Sequence, residues 1–140
     1  MRYLAIDYGR KRMGIAVSDE LKLIAQPLEF IPSAPFERFL DRLKQLIIEK
    51  EVELVLVGLP RNLDGTYGAA AQNVQKFISQ LTTALAIPVR SWDERLTSAQ
   101  ANRVLQGNVR RADRKEKVDK LAAAILLQSY LDAQVGRGHD

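Results

Sequence analysis

Three short segments within the first 31 residues have the composition and spacing of β-strands. Between the first two, Gly9-Arg10-Lys11 is typical of a hairpin turn. The third segment contains Pro27, which favours the edge of a sheet or the start of a strand. Three successive strands with tight connections predict an antiparallel meander. The predicted strands are residues 3–8, 12–17 and 25–31.

After residue 33 the pattern changes to helical spacing interrupted by continuous apolar runs. The first helical segment has Ser33 as its possible N-cap. The run at 54–57, which ends at Gly58, is typical of a strand buried on both faces. The predicted elements here are helices 35–50, 69–85, 97–106 and 115–131, strands 54–57 and 87–92, a basic loop at 108–114 and a disordered tail at 136–140.

This order of elements, β-β-β-α-β-α-β-α-α, predicts the fold class. A meander followed by two βα units favours an α/β fold with a mixed five-stranded sheet, in which two parallel strands extend the antiparallel meander. Helices are expected on both faces of the sheet. With 140 residues the chain is long enough for one domain and too short for two ordinary ones. A single domain over residues 1–135 is therefore predicted.

Composition narrows the class of protein. Hydrophobic residues make up 46% of the chain and charged residues 27%, as in globular rather than disordered proteins. The apolar runs are far shorter than the roughly 20 residues that cross a bilayer, and the N-terminal apolar stretch is too short for a signal peptide. The absence of cysteine excludes disulfides and thiolate metal sites. These features predict a cytoplasmic protein with no membrane partner.

The net charge of +4 is unevenly distributed along the chain. Residues 90–120 contain nine basic and five acidic residues, whereas the rest of the chain contains twelve of each. All of the surplus therefore lies in one C-terminal stretch. A phosphate-binding surface has this charge pattern, and so does a solvated basic face, and charge alone does not decide between them.

Three carboxylates lie where separate elements of this fold should meet. Asp7 ends the first strand and Glu94 closes the fifth, and the carboxyl ends of parallel strands share one edge of a sheet. Asp119 is predicted on the flank of the last helix, beside a core face formed by five other positions. We therefore expect the three acids to converge on one rim. The predicted core face comprises Val118, Leu121, Ala122, Ile125 and Ser129.

Each acid also has an ordinary explanation. Asp7 could cap the turn at Gly9, Glu94 could pair with Arg95 or Arg90, and Asp119 could pair with Lys115. Together, however, three carboxylates at one rim repel each other unless a divalent cation neutralises them. Hard oxygen ligands select Mg²⁺ or Mn²⁺. The only histidine, His139, lies in the predicted tail, which argues against a zinc site or a histidine base. Any catalysis would then depend on metal-activated water.

Four linked motifs run in order along nearly the whole chain. They are Ile6-Asp7-Tyr8-Gly9 with Arg12, Gly14, Ala16 and Ser18-Asp19; Val57-Gly58-Leu59-Pro60 with Asp64-Gly65; Asp93-Glu94-Arg95-Leu96-Thr97; and Lys117-Val118-Asp119 with Ala122-Ala123 and Ile125-Leu126. In sequence and spacing they resemble the motifs of the YqgF/RuvX family. A single Asp-x-Gly motif would be weak support for this resemblance, but four linked motifs are specific.

The resemblance implies an RNase H-like fold related to RuvC-type Holliday-junction resolvases, and a metal-dependent nuclease that matures the 5′ end of pre-16S ribosomal RNA. It also implies that Asp7, Glu94 and Asp119 are the catalytic and metal-binding set, and the choice of Glu94 over Asp93 rests on it. RuvC-type enzymes use four carboxylates, and here Glu116 is either a fourth or a solvated helix residue. The number of metal ions therefore stays open.

Basic residues near these acids are candidate contacts to substrate phosphates, although basic turns and loops are often only solvated. The expected partners are nucleic acid, with RNA favoured over structured DNA, and a pre-ribosomal particle; the oligomeric state stays open. The candidate residues are Arg10, Lys11 and Arg12 in the first turn, Arg61 in a predicted lid formed by residues 61–68, Arg95 beside Glu94, and Arg110, Arg111, Arg114 and Lys115 at the start of the last helix and in the loop before it.

Three other functions are compatible with parts of this pattern. A Holliday-junction resolvase shares the fold and chemistry but needs a symmetric dimer to cut two strands. An actin-like phosphotransferase also begins with Asp-x-Gly, but it closes two such domains around ATP, and this chain supplies one. A non-catalytic RNA-binding assembly factor would bind RNA with no need for Mn²⁺, so metal titration separates it from a nuclease.

Overall fold

The computed structural model describes residues 1–60, 68–93 and 111–136, with side chains omitted at 93, 111–120 and 135–136. In these ranges no helix is long and apolar enough to cross a membrane. The elements are β1 (Arg2–Asp7), β2 (Arg12–Ser18), β3 (Ala25–Pro32), α1 (Phe36–Glu49), β4 (Val52–Leu59), α2 (Ala69–Ala84), β5 (Val89–Asp93) and α3 (Arg111–Gly136).

The described strands form one sheet in the order β3-β2-β1-β4-β5. The pairs β1–β2 and β2–β3 are antiparallel, whereas β1–β4 and β4–β5 are parallel. The predicted meander with two added parallel strands is therefore confirmed. Because β1 and β4 lie at the centre, their apolar segments are buried on both faces, as the continuous run in β4 predicted.

Alternate side chains of β1 enter two separate cores. Leu4 and Ile6 belong to a core on the face covered by α1 and α2. Tyr3 and Ala5 pack in a second core on the opposite face, together with Leu126 and other residues of α3. The period of two along a strand produces this division. Helices therefore cover both faces of the sheet, as predicted.

The predicted capping role of Ser33 is wrong. Helix α1 begins after Pro35, which occupies the N-cap position without a side-chain hydrogen bond. Ser33 instead braces the β1–β2 turn, because its hydroxyl donates to the carbonyl oxygen of Gly9 at 2.7 Å and its amide donates to that of Lys11 at 2.9 Å. Ser33 thus donates hydrogen bonds to carbonyl oxygens of a neighbouring turn and does not accept any from the described amides at the start of α1.

The predicted basic loop at 108–114 is wrong in its second half, because α3 already includes Arg111 and Arg114. The helix also continues to Gly136, beyond the predicted end at residue 131. Arg, Lys and Glu are good helix formers, so this charged segment can extend a helix that packing has established further along. The predicted helix at 97–106 lies outside the described residues. The proposed domain limits and tail stay predictions.

A bidentate ion pair attaches the edge strand β3 to α1. Arg42 donates through Nε and Nη2 to the two carboxylate oxygens of Glu29, at 2.9 and 2.7 Å. These hydrogen bonds lower the pKa of Glu29 below its ordinary value of 4.5. The pair therefore stabilises the fold above about pH 4.5, and this contribution is lost as the pH falls through the lowered pKa of the folded state.

We expect Glu29→Gln to lower the melting temperature at pH 7 by on the order of 1–3 °C, a small effect because both side chains are partly exposed. The difference from wild type should shrink as the pH is lowered below 4. Thermal melts of Glu29→Gln, Arg42→Gln and the double variant across this range measure the coupling. Additive effects of the two single substitutions at pH 7 would contradict a stabilising pair.

Candidate active site

Asp7 is the last residue of β1 and lies half-buried at the carboxyl edge of the sheet. Side chains at every second position of a strand lie on the same face. The positions that alternate with Asp7 are Tyr3 and Ala5, and both pack on the face covered by α3. Asp7 therefore faces α3 rather than α1 and α2. Its register partner on β2 is Gly14, which has no side chain to occupy the space beside the carboxylate.

A side chain at Gly14 would meet residues of β1, β3 and α3. A Cβ atom placed on Gly14 would lie 3.6 Å from Cβ of Asp7, 3.8 Å from Cβ of Ala123 and 3.5 Å from the ring of Phe30. These are ordinary van der Waals distances, so a methyl group fits there but a larger side chain does not. Helix α3 thus passes directly over the position of Asp7 at Ala123.

The direction of α3 is set by contacts at its C-terminal half. The indole N–H of Trp92 donates to Oγ of Ser129 at 3.1 Å, and the backbone amide of Ala25 donates to Oε1 of Gln128 at 2.8 Å. The ring of Tyr130 meets that of Tyr3, with centroids 5.9 Å apart, near the beginning of β1. Because Ala123 lies at the other end of β1, α3 runs antiparallel to that strand.

The predicted core face of α3 is confirmed at Ser129, wrong at three positions and untested at Val118, whose side chain is not described. The buried stripe contains Ala123, Leu126, Leu127 and Tyr130, whereas Leu121, Ala122 and Ile125 are only half-buried. Residues 121–127 are all apolar, so their periodicity alone could not choose between the two stripes. Position 119 precedes Ala123 by four residues, about 6 Å along the axis of α3, and its side chain is not among those described.

Of the three predicted acids, only Asp7 has a described side chain. The backbone of residue 119 lies in α3, and Glu94 lies outside the described residues. Asp93 is the last residue of β5 and pairs in register with Leu59 of β4. Within the side chains that the structure does describe, no three His, Cys, Asp or Glu residues gather into a possible metal site. Convergence of the full set stays a prediction.

Asp19, which directly follows β2 and belongs to the first motif, has a structural role. Oδ1 of Asp19 accepts hydrogen bonds from the backbone amides of Leu23 and Ile24, at 2.8 and 3.1 Å. These bonds, that from Ile24 first, lower the pKa of Asp19. Ser18, its neighbour, accepts the amide hydrogen of Tyr3 at 2.9 Å. This part of the motif shapes the β2–β3 connection and lies at the end of β1 opposite to Asp7.

The turn between β1 and β2 depends on Gly9. A Cβ atom there would lie 2.2 Å from the carbonyl oxygen of Arg12, so any other residue would force the backbone to move. The turn carries three exposed cations that the sequence predicted as phosphate contacts. Arg12 lies over the ring of Phe30, with Cζ 4.0 Å from the centroid, on the face of Asp7. Arg10 instead lines a groove on the α2 side. These two cations therefore diverge.

The other predicted substrate contacts are not tested. Arg61, Arg95 and Arg110 lie outside the described residues, and Arg111, Arg114 and Lys115 lie in the first turns of α3 without described side chains. Two residues of the basic C-terminal stretch are structural. Arg90 donates to the hydroxyl of Tyr130 at 3.1 Å, and the ring of Trp92 packs edge-on against Tyr130 at 5.0 Å.

Sequence analysis missed two polar residues beside the site. Asn73 and Lys76 of α2 are exposed and line the same groove as Arg10. One signal was present in the sequence: Lys76 is the only charged residue among the sixteen of α2. A single lysine on an otherwise uncharged helix could not be connected with Asp7, however, until the fold placed α2 beside the β1–β2 turn.

Comparisons with known proteins agree with this architecture. The chain matches RuvX, described as Holliday junction resolvase, over residues 1–133. It is 46% identical over 136 residues to a Thermoanaerobacter pseudethanolicus protein named "Putative pre-16S rRNA nuclease", covering 96% of this chain and 98% of that protein. A Geobacillus protein of the same name is 45% identical over 138 residues, covering 96% and 99%.

Among solved structures, Thermus thermophilus RuvC in complex with a Holliday junction substrate superposes with a TM-score of 0.55. The two chains are 18% identical, and the match covers 97% of this chain and 96% of that one. A second structure of Thermus thermophilus RuvC gives a TM-score of 0.53 at 17% identity, with 97% of each chain covered. At these identities the similarity concerns the fold, which is RNase H-like as predicted.

Proposed function

This chain belongs to the RuvX family of Holliday junction resolvases, and we propose that Asp7, Glu94 and Asp119 form the active site of a metal-dependent nuclease that matures the 5′ end of pre-16S ribosomal RNA. As a member of this family it is a hydrolytic nuclease. The observation that carries the residue assignment is the position of Asp7, half-buried at the sheet edge, facing α3 and next to Gly14 and Ala123.

The residues at this edge fit a hard divalent cation. Asp7 supplies carboxylate oxygens, which such a cation prefers as ligands, at the half-buried carboxyl edge of the sheet. No histidine or cysteine occurs near Asp7 in the described part of the chain, which favours Mg²⁺ or Mn²⁺ over zinc. When bound, such a cation supplies Lewis-acid activation of water and of the scissile phosphate. Asp7, Glu94 and Asp119 would hold it.

The strand parity of β5 supports Glu94 over Asp93. Val89 packs with the core under α1 and α2, and Trp92 packs with the core under α3, which Asp7 also faces. If this alternation continued for one residue beyond the strand, position 94, and not position 93, would share the side of Asp7. In α3, position 119 lies four residues, about one helical turn, before Ala123 of the buried stripe. Both inferences agree with the family resemblance.

The names of the relatives support ribosomal RNA as the substrate and a pre-ribosomal particle as the setting, and hence a cytoplasmic location. The chain contains no zinc finger and no aromatic strand of the kind that reads bases. Selection would then depend on RNA shape and on presentation of the strand end, so we expect weak intrinsic sequence preference. A Holliday-junction resolvase is the second candidate, favoured by the family description and by the fold of RuvC.

Cleavage of matched substrates separates these two functions. We expect the purified protein to cut an RNA carrying the 5′ leader of 16S rRNA in Mn²⁺, and to lose this activity completely in chelator. A DNA strand of the same sequence and a four-way DNA junction serve as comparison substrates. Depletion of the protein in its host should leave 5′-extended small-subunit RNA. Normal 5′ ends, together with symmetric cutting of the junction in vitro, would replace this proposal with the resolvase.

A further inference from the structure

A groove lined by both polar and apolar residues lies beside α2, on the face of the sheet opposite to the one that Asp7 faces. It consists of two adjoining depressions of about 310 and 240 Å³, which share Tyr8, Arg10 and Asn73. The first reaches the beginning of α2 at Ala69, and the second extends along α2 to Lys76 and Gln80. Because Tyr8 directly follows Asp7 in the chain, the groove begins beside the candidate active site.

The groove has the charge of an anion-binding surface. Arg10 and Lys76 are both exposed and place two cations on its walls, and Asn73 and Gln80 add amide groups that can donate hydrogen bonds. None of the described residues that line the two depressions is acidic. Both cations of this groove lie outside residues 90–120, the stretch that accounts for the net positive charge of the chain.

The floor of the groove is an aromatic cluster. The ring of Tyr8 packs against that of buried Phe77, with centroids 5.1 Å apart, and Phe77 also contacts Phe36 and Phe39 of α1. The turn that carries Arg10 is fixed by Gly9 and by the hydrogen bond from Ser33. From Asn73 to Gln80 the wall formed by α2 extends about 10 Å along the helix axis. The backbone segments that carry the two cations are thus anchored by packing and hydrogen bonds.

We propose that this groove binds the phosphodiester backbone of the nucleic-acid strand that flanks the cleavage site, with Lys76 and Arg10 each contacting a phosphate and Asn73 donating a hydrogen bond between them. The inference rests on the proposed nuclease function, and it adds a path that leads the strand away from Asp7 across the sheet edge and along α2. The groove binds sugar and phosphate rather than bases, so it accepts RNA or DNA of any sequence.

Lys76→Ala tests the proposal. Binding of a labelled single-stranded RNA, and of DNA of the same sequence, is measured in chelator over a range of salt concentrations. Loss of one phosphate contact should weaken binding about fivefold at 0.1 M salt and reduce the slope of log affinity against log salt by about 0.7. Lys76→Arg should retain wild-type binding, and Lys76→Glu should weaken it further. Asn73→Ala should weaken binding with little change in slope.

The matched control is Lys44→Ala, which removes an exposed lysine that lines a largely apolar depression at the other end of α1. This control should bind as wild type does. If Lys76→Ala, Lys44→Ala and wild type had the same affinity and the same salt dependence, the proposal that this groove binds the phosphodiester backbone would be wrong. If wild type fails to cleave RNA in Mn²⁺ while the Lys76→Ala defect persists, the nuclease proposal fails and the groove stands. A defect seen with DNA and not with RNA would overturn the groove as a path for an RNA substrate.

Discussion

Asp7→Asn should reduce Mn²⁺-dependent cleavage by on the order of 10³-fold or more while the protein remains folded. The substitution keeps the size of the side chain but removes the negative charge that would hold the cation. Loss of several kcal/mol of transition-state stabilisation corresponds to this factor in rate. The same result is expected for Glu94→Gln and Asp119→Asn. Single-turnover cleavage of the leader RNA, measured alongside circular dichroism and thermal melts, gives both quantities.

Asp41→Asn is the matched control for this series. Asp41 is an exposed acid on α1, which covers the face of the sheet opposite to the one that Asp7 faces, so its replacement should leave the rate unchanged. Binding of Mn²⁺, measured by calorimetry, should weaken in each of the three site variants and stay normal in the control. A site variant that keeps the wild-type rate and Mn²⁺ affinity would remove that residue from the proposed active site.

Gly14→Leu should be nearly inactive and less stable than wild type. The Cβ atom of this leucine would already lie within contact distance of Asp7, Ala123 and Phe30. The three carbon atoms beyond Cβ must therefore push α3 away from the sheet. Overpacking of this kind lowers the free energy of unfolding by about 1–3 kcal/mol. A displacement of about 1 Å at a catalytic group can reduce the rate about 100-fold. Denaturant unfolding and single-turnover cleavage measure the two effects.

Gly14→Ala separates this geometric cause from a general intolerance of substitution. Its methyl group would meet neighbours at 3.5 to 3.8 Å, which is ordinary packing, so this variant should fold and cleave nearly as wild type does. Wild-type activity in Gly14→Leu would show that α3 does not have to lie close to Asp7 for catalysis. An inactive but fully stable Gly14→Ala would indicate that the glycine itself, rather than the spacing, is needed.

The strands and the first two helices could be predicted from the sequence because their patterns are local. The apolar run of β4 and the glycine-containing turn after Asp7 need no knowledge of distant residues. The predicted bounds of α2 agree with the structure to one residue. The order of the elements then restricted the topology, since short connections and parallel βα units leave few arrangements.

The sequence also determined the candidate chemistry, because four motifs along nearly the whole chain select three carboxylates from seventeen acidic residues. Two features depended on contacts between remote segments. The buried stripe of α3 was ambiguous within an unbroken apolar run, and only packing against Ala5 and Leu56 of the sheet determined its rotation. Arg10 and Lys76 line one groove although they lie 66 positions apart in the sequence. Periodicity reports the local pattern of one element, whereas the neighbours of its side chains are decided by the elements that pack against it.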